Sequence, residues 1–285
     1  MSANASFTQD RPLDLNEILR ELVSQSRLSQ EVAEHVLAIR RSAVTNQQHP
    51  LEFLAAQKLD DATRPGRKLD LETLTQWLAD YAGQPYLRTD PLKINVAAVT
   101  PLMSHAFAQR HKILAVAVDI DSVTIATAQP FVSSWESNLL HVLKRPIKRV
   151  VVSPTDLQRF TNEFYRLARS VSGANAGDSK ITGTSNFEQL LKIGASDKEP
   201  DADDAHIVNI VDWIFQYAYQ QRASDIHIEP RREQGTVRFR IDGVLHNVYQ
   251  FPPQVTVAIV SRLKSLGRMN VAEKRRSQDD RIKTK

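Results

Sequence analysis

Asp242–Gly243 sits between two runs of alternating residues, and this junction constrains the chain more than any other feature. Before it, Val237, Phe239 and Ile241 point opposite to Arg238, Arg240 and Asp242. An earlier run, Ser224 to Glu229, puts Ile226 and Ile228 on one face and Asp225, His227 and Glu229 on the other. A period of two marks a half-buried strand. Asp-Gly between such runs predicts a two-residue hairpin loop. Helical signals flank the strands. Ile207, Ile210, Val211, Ile214, Phe215 and Ala218 mark one apolar helix face, and Pro252–Pro253 opens a helix that Gly267 closes after about Leu266. Residues 204–270 therefore read as a small α+β domain built on a hairpin sheet.

The front of the chain reads differently. Leu15, Ile18, Leu19, Leu22 and Val23 follow helical spacing between Leu13 and Ser24. Ser29 caps a second helix with Val32, Val36 and Leu37 inward, Pro50 opens a third, and Asp70 precedes a fourth carrying Leu71, Leu74, Trp77, Leu78 and Tyr81. From Pro91 strands and helices alternate. Pro101 predicts a helix start, Ile113 to Val118 and Val123 to Ala128 predict strands around the Asp119–Ile120–Asp121 turn, and Trp135 to Leu143 predicts a helix. Ile147 to Val152 predicts a third strand, and a long helix follows Ser153–Pro154 to about Ser170. The expected fold class is α+β. A first domain at 11–171 combines a helical module (11–90) with a small α/β sheet unit (91–171). A flexible linker at 172–203 holds four of the nine glycines and one short apolar helix over 187–193. The second domain at 204–270 precedes a hinge at 271–285.

Composition narrows the class. The 37 basic and 33 acidic residues leave a net charge of only +4, so no field for nucleic acid is implied. The absence of cysteine excludes disulfides and thiolate metal sites. No apolar run nears the ~20 residues that span a bilayer, and the polar opening from Met1 to Asp10 lacks a signal-peptide core. A cytoplasmic protein is expected.

Few residues carry chemistry. A phosphate-binding loop of the form G-x-x-x-x-G-K-[ST] is absent, and the stretch from Gly177 to Ser185 has the wrong spacing. No catalytic residue and no metal site are expected. Asp225, His227 and Glu229 share a strand face, but alternate positions stand ~6.5–7 Å apart and rarely converge on one ion, so a structural hydrogen-bonded cluster is the better reading. Arg238 and Arg240 share the polar face of a strand, where a guanidinium can bridge phosphate oxygens or pair with Asp or Glu. Nine basic against three acidic residues between Arg262 and Lys285 read as an interface face and not a nucleic-acid site, because no aromatic is interleaved for base stacking.

Four ordered blocks carry a resemblance: ASDIHIEP (223–230), RIDGVL (240–245), SRLK (261–264), and AEKR (272–275) followed by QDDR (278–281). The series resembles the second N-terminal domain of type II secretion and type IV pilus assembly ATPases, the secretion traffic ATPases. Asp280 departs from it, standing where the family usually has glycine. The resemblance implies the N-terminal portion of such an ATPase without the RecA-like core, so the chain alone is expected to be inactive. It further implies a homo-hexamer using ATP and Mg in the full-length protein. No cofactor is implied in this chain and no nucleic-acid partner. An inner-membrane platform protein is the implied partner of the N-terminal domain and the route by which the protein lies peripheral to the membrane. Arg240, Arg238 and Arg281 are implied to approach a nucleotide held by the neighbouring core. Leu15 to Arg40 and Leu51 to Leu92 are also similar to two degenerate copies of the helical modules that bind cyclic di-GMP in some of these ATPases. Their starts read Leu13–Asp14–Leu15 and His49–Pro50–Leu51, without the usual arginine and glycine. The alternatives to a docking portion are a stand-alone interaction protein and a cyclic di-GMP sensor module.

Overall fold

The computed structural model describes residues 10–39, 48–176 and 201–283. In chain order its helices are α1 (Leu15–Ser24), α2 (Gln30–Ile39), α3 (Pro50–Ala56), α4 (Leu71–Ala82), α5 (Val96–Val99), α6 (His105–His111), α7 (Glu136–Leu143), α8 (Pro154–Ala176), α9 (Ala205–Gln220) and α10 (Pro253–Leu266). Its strands are β1 (Ile113–Val118), β2 (Val123–Thr127), β3 (Ile147–Val151), β4 (Asp225–Glu229), β5 (Gly235–Ile241) and β6 (Val244–Phe251). Helices and two three-stranded sheets make this an α+β protein. Two compact units result, Met1–Pro91 with Leu102–Asn162, and Leu92–Pro101 with Glu163–Lys285.

In the first unit the helix starts follow from capping chemistry. Asp14 and Asp70 accept N–H bonds from Asn16 and Thr73 at 3.1 and 2.7 Å, and Ser29 Oγ accepts from Val32 at 3.3 Å. Gly83, at φ +62, closes α4 in the left-handed region where glycine has no penalty. Leu15, Ile18, Leu19 and Leu22 of α1 and Leu74, Trp77 and Leu78 of α4 share one buried cluster with Leu51, Phe53 and Leu54 of α3. The first sheet has the order β1-β2-β3, with β1 antiparallel and β3 parallel to β2. Helix α7 makes the crossover that a parallel pair requires.

Three expectations change here. Pro101 does not start a helix: Thr100–Leu102 is one 3-10 turn after α5, and α6 starts at His105 with Ser104 Oγ capping Phe107 N–H at 3.2 Å. Trp135 precedes α7 as its cap position, wholly buried and without a side-chain cap bond. Helix α8 runs on to Ala176, beyond Ser170 and into the stretch expected as linker. The short helix expected over 187–193 lies outside the described residues.

The second unit centres on the antiparallel meander β4-β5-β6. Asp242 at φ +49 and Gly243 at φ +82 form the two-residue turn between β5 and β6, where Ile241 pairs with Val244. Both φ values are positive, as a type I′ turn requires. Val237 and Phe239 of β5, Tyr249 and Phe251 of β6, Ile207, Ile210 and Ile214 of α9, and Val255 and Ile259 of α10 are all buried. In α9 the buried aromatic is Tyr217, whereas the expected Phe215 is only half-buried. Tyr217 stacks on Trp213 at 5.1 Å and meets Phe239 at 5.7 Å.

Gly235, at the start of β5, is held to glycine by packing. A Cβ there would lie 2.1 Å from Thr256 Oγ1, and Thr256 is fully buried with its hydroxyl bonded to the Pro252 carbonyl at 3.0 Å. Gly235→Ala should cost about 1–3 kcal/mol by overpacking. In a urea double-mutant cycle with Thr256→Ser, which removes the nearby Cγ2, the two changes should couple favourably by about 0.5 kcal/mol or more. Strict additivity would show that the backbone shifts freely.

Candidate functional site

The alternation that forms β4 and β5 also decides which side chains meet. Antiparallel register sets Asp225 opposite Arg240 and His227 opposite Arg238, all on the face turned away from Phe239 and Val237. Asp225 Oδ2 stands 3.1 Å from Arg240 Nε, and the Gly243 carbonyl accepts from Arg240 Nη1 at 3.2 Å. One step along the face, Glu229 is ion-paired with Arg238 and accepts from Arg231 at 3.4 Å. The bond from Arg238 holds the Glu229 carboxyl below the usual carboxylate range, with the Arg238 and Arg231 charges adding to it. Inside this ladder His227 Nε2 and Arg238 Nε are buried and hydrogen-bond to nothing described. A bulge in β6 displaces the register between Val237 and Arg238, so Arg238 faces Asn247. Asp225, His227 and Glu229 divide between two arginines and do not converge on one point.

Arg281 is not part of this ladder. It is exposed in the segment after α10, and its backbone N–H donates to Asp280 Oδ1 at 2.7 Å. That segment is pinned back by its own side chains. Gln278 and Asn270 exchange two bonds at 2.7 and 2.9 Å, Lys264 Nζ donates to the Glu273 carbonyl, and Glu273 Oε1 accepts from the Arg275 and Arg276 N–H groups. Those N–H bonds lower the Glu273 carboxyl below its ordinary value. Asp280 is not in the left-handed backbone region, so a side chain fits there without strain.

In the first unit, Asp14 and His49 both stand as N-caps. His49 Nδ1 accepts from the Leu51 N–H at 3.3 Å while Nε2 bonds to the Ala128 carbonyl at 3.0 Å. A polar cleft of about 470 Å³ runs between Gln25, Arg27 and Thr63 and the α4 residues Gln76, Trp77 and Asp80. Sequence reading missed Arg27 and Asp61, which form a buried ion pair at 2.8 Å across 34 residues of chain. Among the described residues no helix is long and apolar enough to cross a membrane.

Comparison with known proteins bears on this geometry. Residues 200–285, which contain the whole ladder, match the model of the type II/IV secretion system protein family, and residues 82–171 match that of the MshEN domain. The type IV pilus assembly ATPase TfpB of Acinetobacter baylyi is 42% identical over 274 residues, covering 96% of this chain and 47% of that protein. The chain carries a type II/IV secretion system protein domain and an MshEN domain. Other relatives include the type IV pilus assembly ATPase PilB of Myxococcus xanthus, 28% identical over 87% of this chain and 44% of its own length. The type II secretion system protein E of Xanthomonas campestris pv. campestris is 32% identical over 57% of this chain and 25% of its own. The chain thus spans about half the length, or less, of the curated relatives it matches. A solved structure of MshE with cdg overlaps 54% of this chain and 99% of that one at 18% identity, with a TM-score of 0.38.

Proposed function

We propose that this chain is the N-terminal docking and regulatory portion of an ATPase that powers type IV pilus assembly or type II protein secretion. Residues 11–171 would dock on an inner-membrane platform protein and hold the otherwise cytoplasmic assembly at the membrane. Residues 204–270 would stack on an ATPase core that binds ATP and Mg, six copies forming a ring, with the 271–285 segment as hinge. On this reading Arg240, Arg238 and Arg281 lie near the nucleotide of that core, where guanidinium groups neutralise charge on the transferring phosphoryl group. The single observation carrying the proposal is the 42% identity to TfpB across 96% of the chain. The paired strands that hold Arg238 and Arg240 on one polar face give it a physical basis.

The cyclic di-GMP alternative draws on the MshEN match at 82–171, which contains neither of the two helix starts read as degenerate modules. At both helix starts the side chain is already engaged, Asp14 as a carboxylate that would repel phosphate and His49 between two backbone groups.

The test is made in the native host on the complete gene product. Arg240→Ala should lower pilus assembly or secretion about tenfold or more at normal protein level, since arginines at phosphoryl transfer contribute large rate factors. The purified 285-residue chain should release no phosphate from ATP with magnesium. Wild-type assembly and secretion in the variant, or magnesium-dependent turnover by the chain alone, would each contradict the proposal.

A further inference from the structure

The chain does not leave α10 loosely. Gly267 is the cap, Arg268 enters the left-handed region at φ +55, the Arg268 N–H donates to the Ser265 carbonyl at 3.1 Å, and the Met269 N–H donates to the Lys264 carbonyl at 2.8 Å. This pair of bonds satisfies the last carbonyls of a helix while the chain turns off its axis. Glycine usually takes the left-handed position of such a turn; here arginine takes it and the glycine precedes it. Packing explains the order. A Cβ on Gly267 would stand 2.8 Å from Met269 Cε and 3.6 Å from Ile282 Cγ1, so the returning segment lies close against the bare backbone of the cap.

Side chains then hold what the backbone begins. The Gln278 amide pairs with both backbone groups of Asn270: Oε1 accepts its N–H at 2.7 Å and Nε2 donates to its carbonyl at 2.9 Å. A neighbouring strand satisfies a residue in this way, and here one side chain does so. Asn270 Oδ1 accepts from the Ala272 N–H at 3.0 Å, and Glu273 Oε1 accepts from the Arg275 and Arg276 N–H groups at 2.7 and 3.1 Å. Lys264 of α10 donates its ammonium to the Glu273 carbonyl, which ties the middle of the segment to the helix. Each bond lies near solvent and is weak alone; together they hold 268–278 on α10. We propose that residues 268–278 are a latched arm and that Gln278 is its latch. While the Gln278 amide holds Asn270, the arm moves with α10 as one body, and a displacement of α10 reaches the residues beyond instead of being absorbed in a bend. This rests on the reading of the 271–285 stretch given under the proposed function, and it gives Gln278, Glu273 and Lys264 a positioning role that needs no contact with nucleotide.

Amide exchange with solvent, measured by NMR on the 15N-labelled 285-residue chain, reads the latch. Gln278→Met removes both bonds at nearly the same volume, so the Asn270 amide should exchange about tenfold faster, with the spectrum of β4, β5 and β6 unchanged. Glu273→Ala should speed Arg275 and Arg276 likewise, while Glu273→Gln, which keeps the acceptor, should not. In the complete gene product, Gln278→Met should lower pilus assembly or secretion about fivefold while the purified complete protein keeps its ATP turnover. A residue that served only to keep the protein folded would lower both together. If the Asn270 amide exchanges alike in wild type and Gln278→Met, there is no latch, and the reading of the stretch under the proposed function stands. If the latch opens and assembly is untouched, or if assembly and turnover fall together, the coupling role is wrong. If the complete wild-type protein releases no phosphate from ATP, the proposed function itself fails and the coupling role falls with it.

Discussion

Arg27→Met should lower the stability of the first unit by about 3–5 kcal/mol, the usual cost of removing one partner from a buried ion pair. Asp61 is 1% exposed and Arg27 12% exposed, so loss of the guanidinium strands a carboxylate away from water. The pair also closes the structure locally: the Ala62 N–H donates to the Arg27 carbonyl at 3.0 Å, binding the α1–α2 connection to the loop before α4. Two bonds from Thr63, from its hydroxyl at 2.6 Å and its N–H at 3.0 Å, remain in the variant but carry no positive charge. The pH dependence has a definite sign. Burial pushes the Asp61 carboxyl up, but the Thr63 bonds and Arg27 outweigh it and hold the folded group below its ordinary value. A depressed carboxylate stabilises the fold above its unfolded pKa of about 4 and loses that contribution as pH falls through the lower folded value. In Arg27→Met burial faces less opposition, so the variant protonates sooner and its deficit shrinks in acid. Urea unfolding at pH 7 and pH 4 should show the larger gap at pH 7. A loss under ~1 kcal/mol at pH 7 would mean that the pair is hydrated in solution and behaves as a surface bridge.

That pair also marks where sequence reading stops. Asp61 and Arg27 lie in polar stretches without periodicity, and nothing local distinguishes them from solvated neighbours; only the closure of two loops brings them together. The hairpin was legible because its signal is local. Alternation sets the faces of β4 and β5, and Asp242–Gly243 fixes the β5–β6 register that sets Ile241 against Val244; the β4–β5 pairing of Asp225 with Arg240 is closed by the loop at 230–234. The end of α8 was not legible because glycine normally argues against continuing a helix. Gly173 stays helical because the His206 ring packs against it: a Cβ there would sit 2.4 Å from the imidazole, so glycine answers a close approach and not a break. The exchange of Phe215 for Tyr217 in the core has a similar cause. Both fit the helical period loosely, and the aromatic run Trp213–Tyr217–Phe239 selects the residue one turn on from Trp213. At the candidate site, alternation alone does not separate Arg238 from Arg240, since a period of two cannot see the bulge in β6 or the sharing of Glu229 with Arg231.

Phe239→Ala should destabilise the second unit by about 3–5 kcal/mol, a large fraction of the 5–15 kcal/mol typical of a domain. The ring is wholly buried at the centre of the middle strand, and it carries the aromatic stack of α9 onto the sheet through Tyr217. Truncation leaves a cavity that β5 cannot close, because its backbone is fixed on both sides by β4 and β6 and its Gly235 end is pressed against Thr256. The consequence reaches the opposite face: Arg238 and Arg240 are aimed by the pleat of this strand, so loosening the core side should blur the ladder on the polar side. Each tryptophan gives its own reporter when 5-fluorotryptophan is incorporated, and Trp213, packed against Tyr217 and edge-on to Tyr249, reports on the second unit. Its 19F line should reach the unfolded position at a much lower urea concentration in Phe239→Ala than in wild type. Phe239→Leu, which keeps most of the volume, should fall between the two. An unchanged Trp213 transition in Phe239→Ala would mean that the α9–sheet contact contributes little. The strand would then be held by its ladder bonds alone, and the two faces of β5 would be energetically separate.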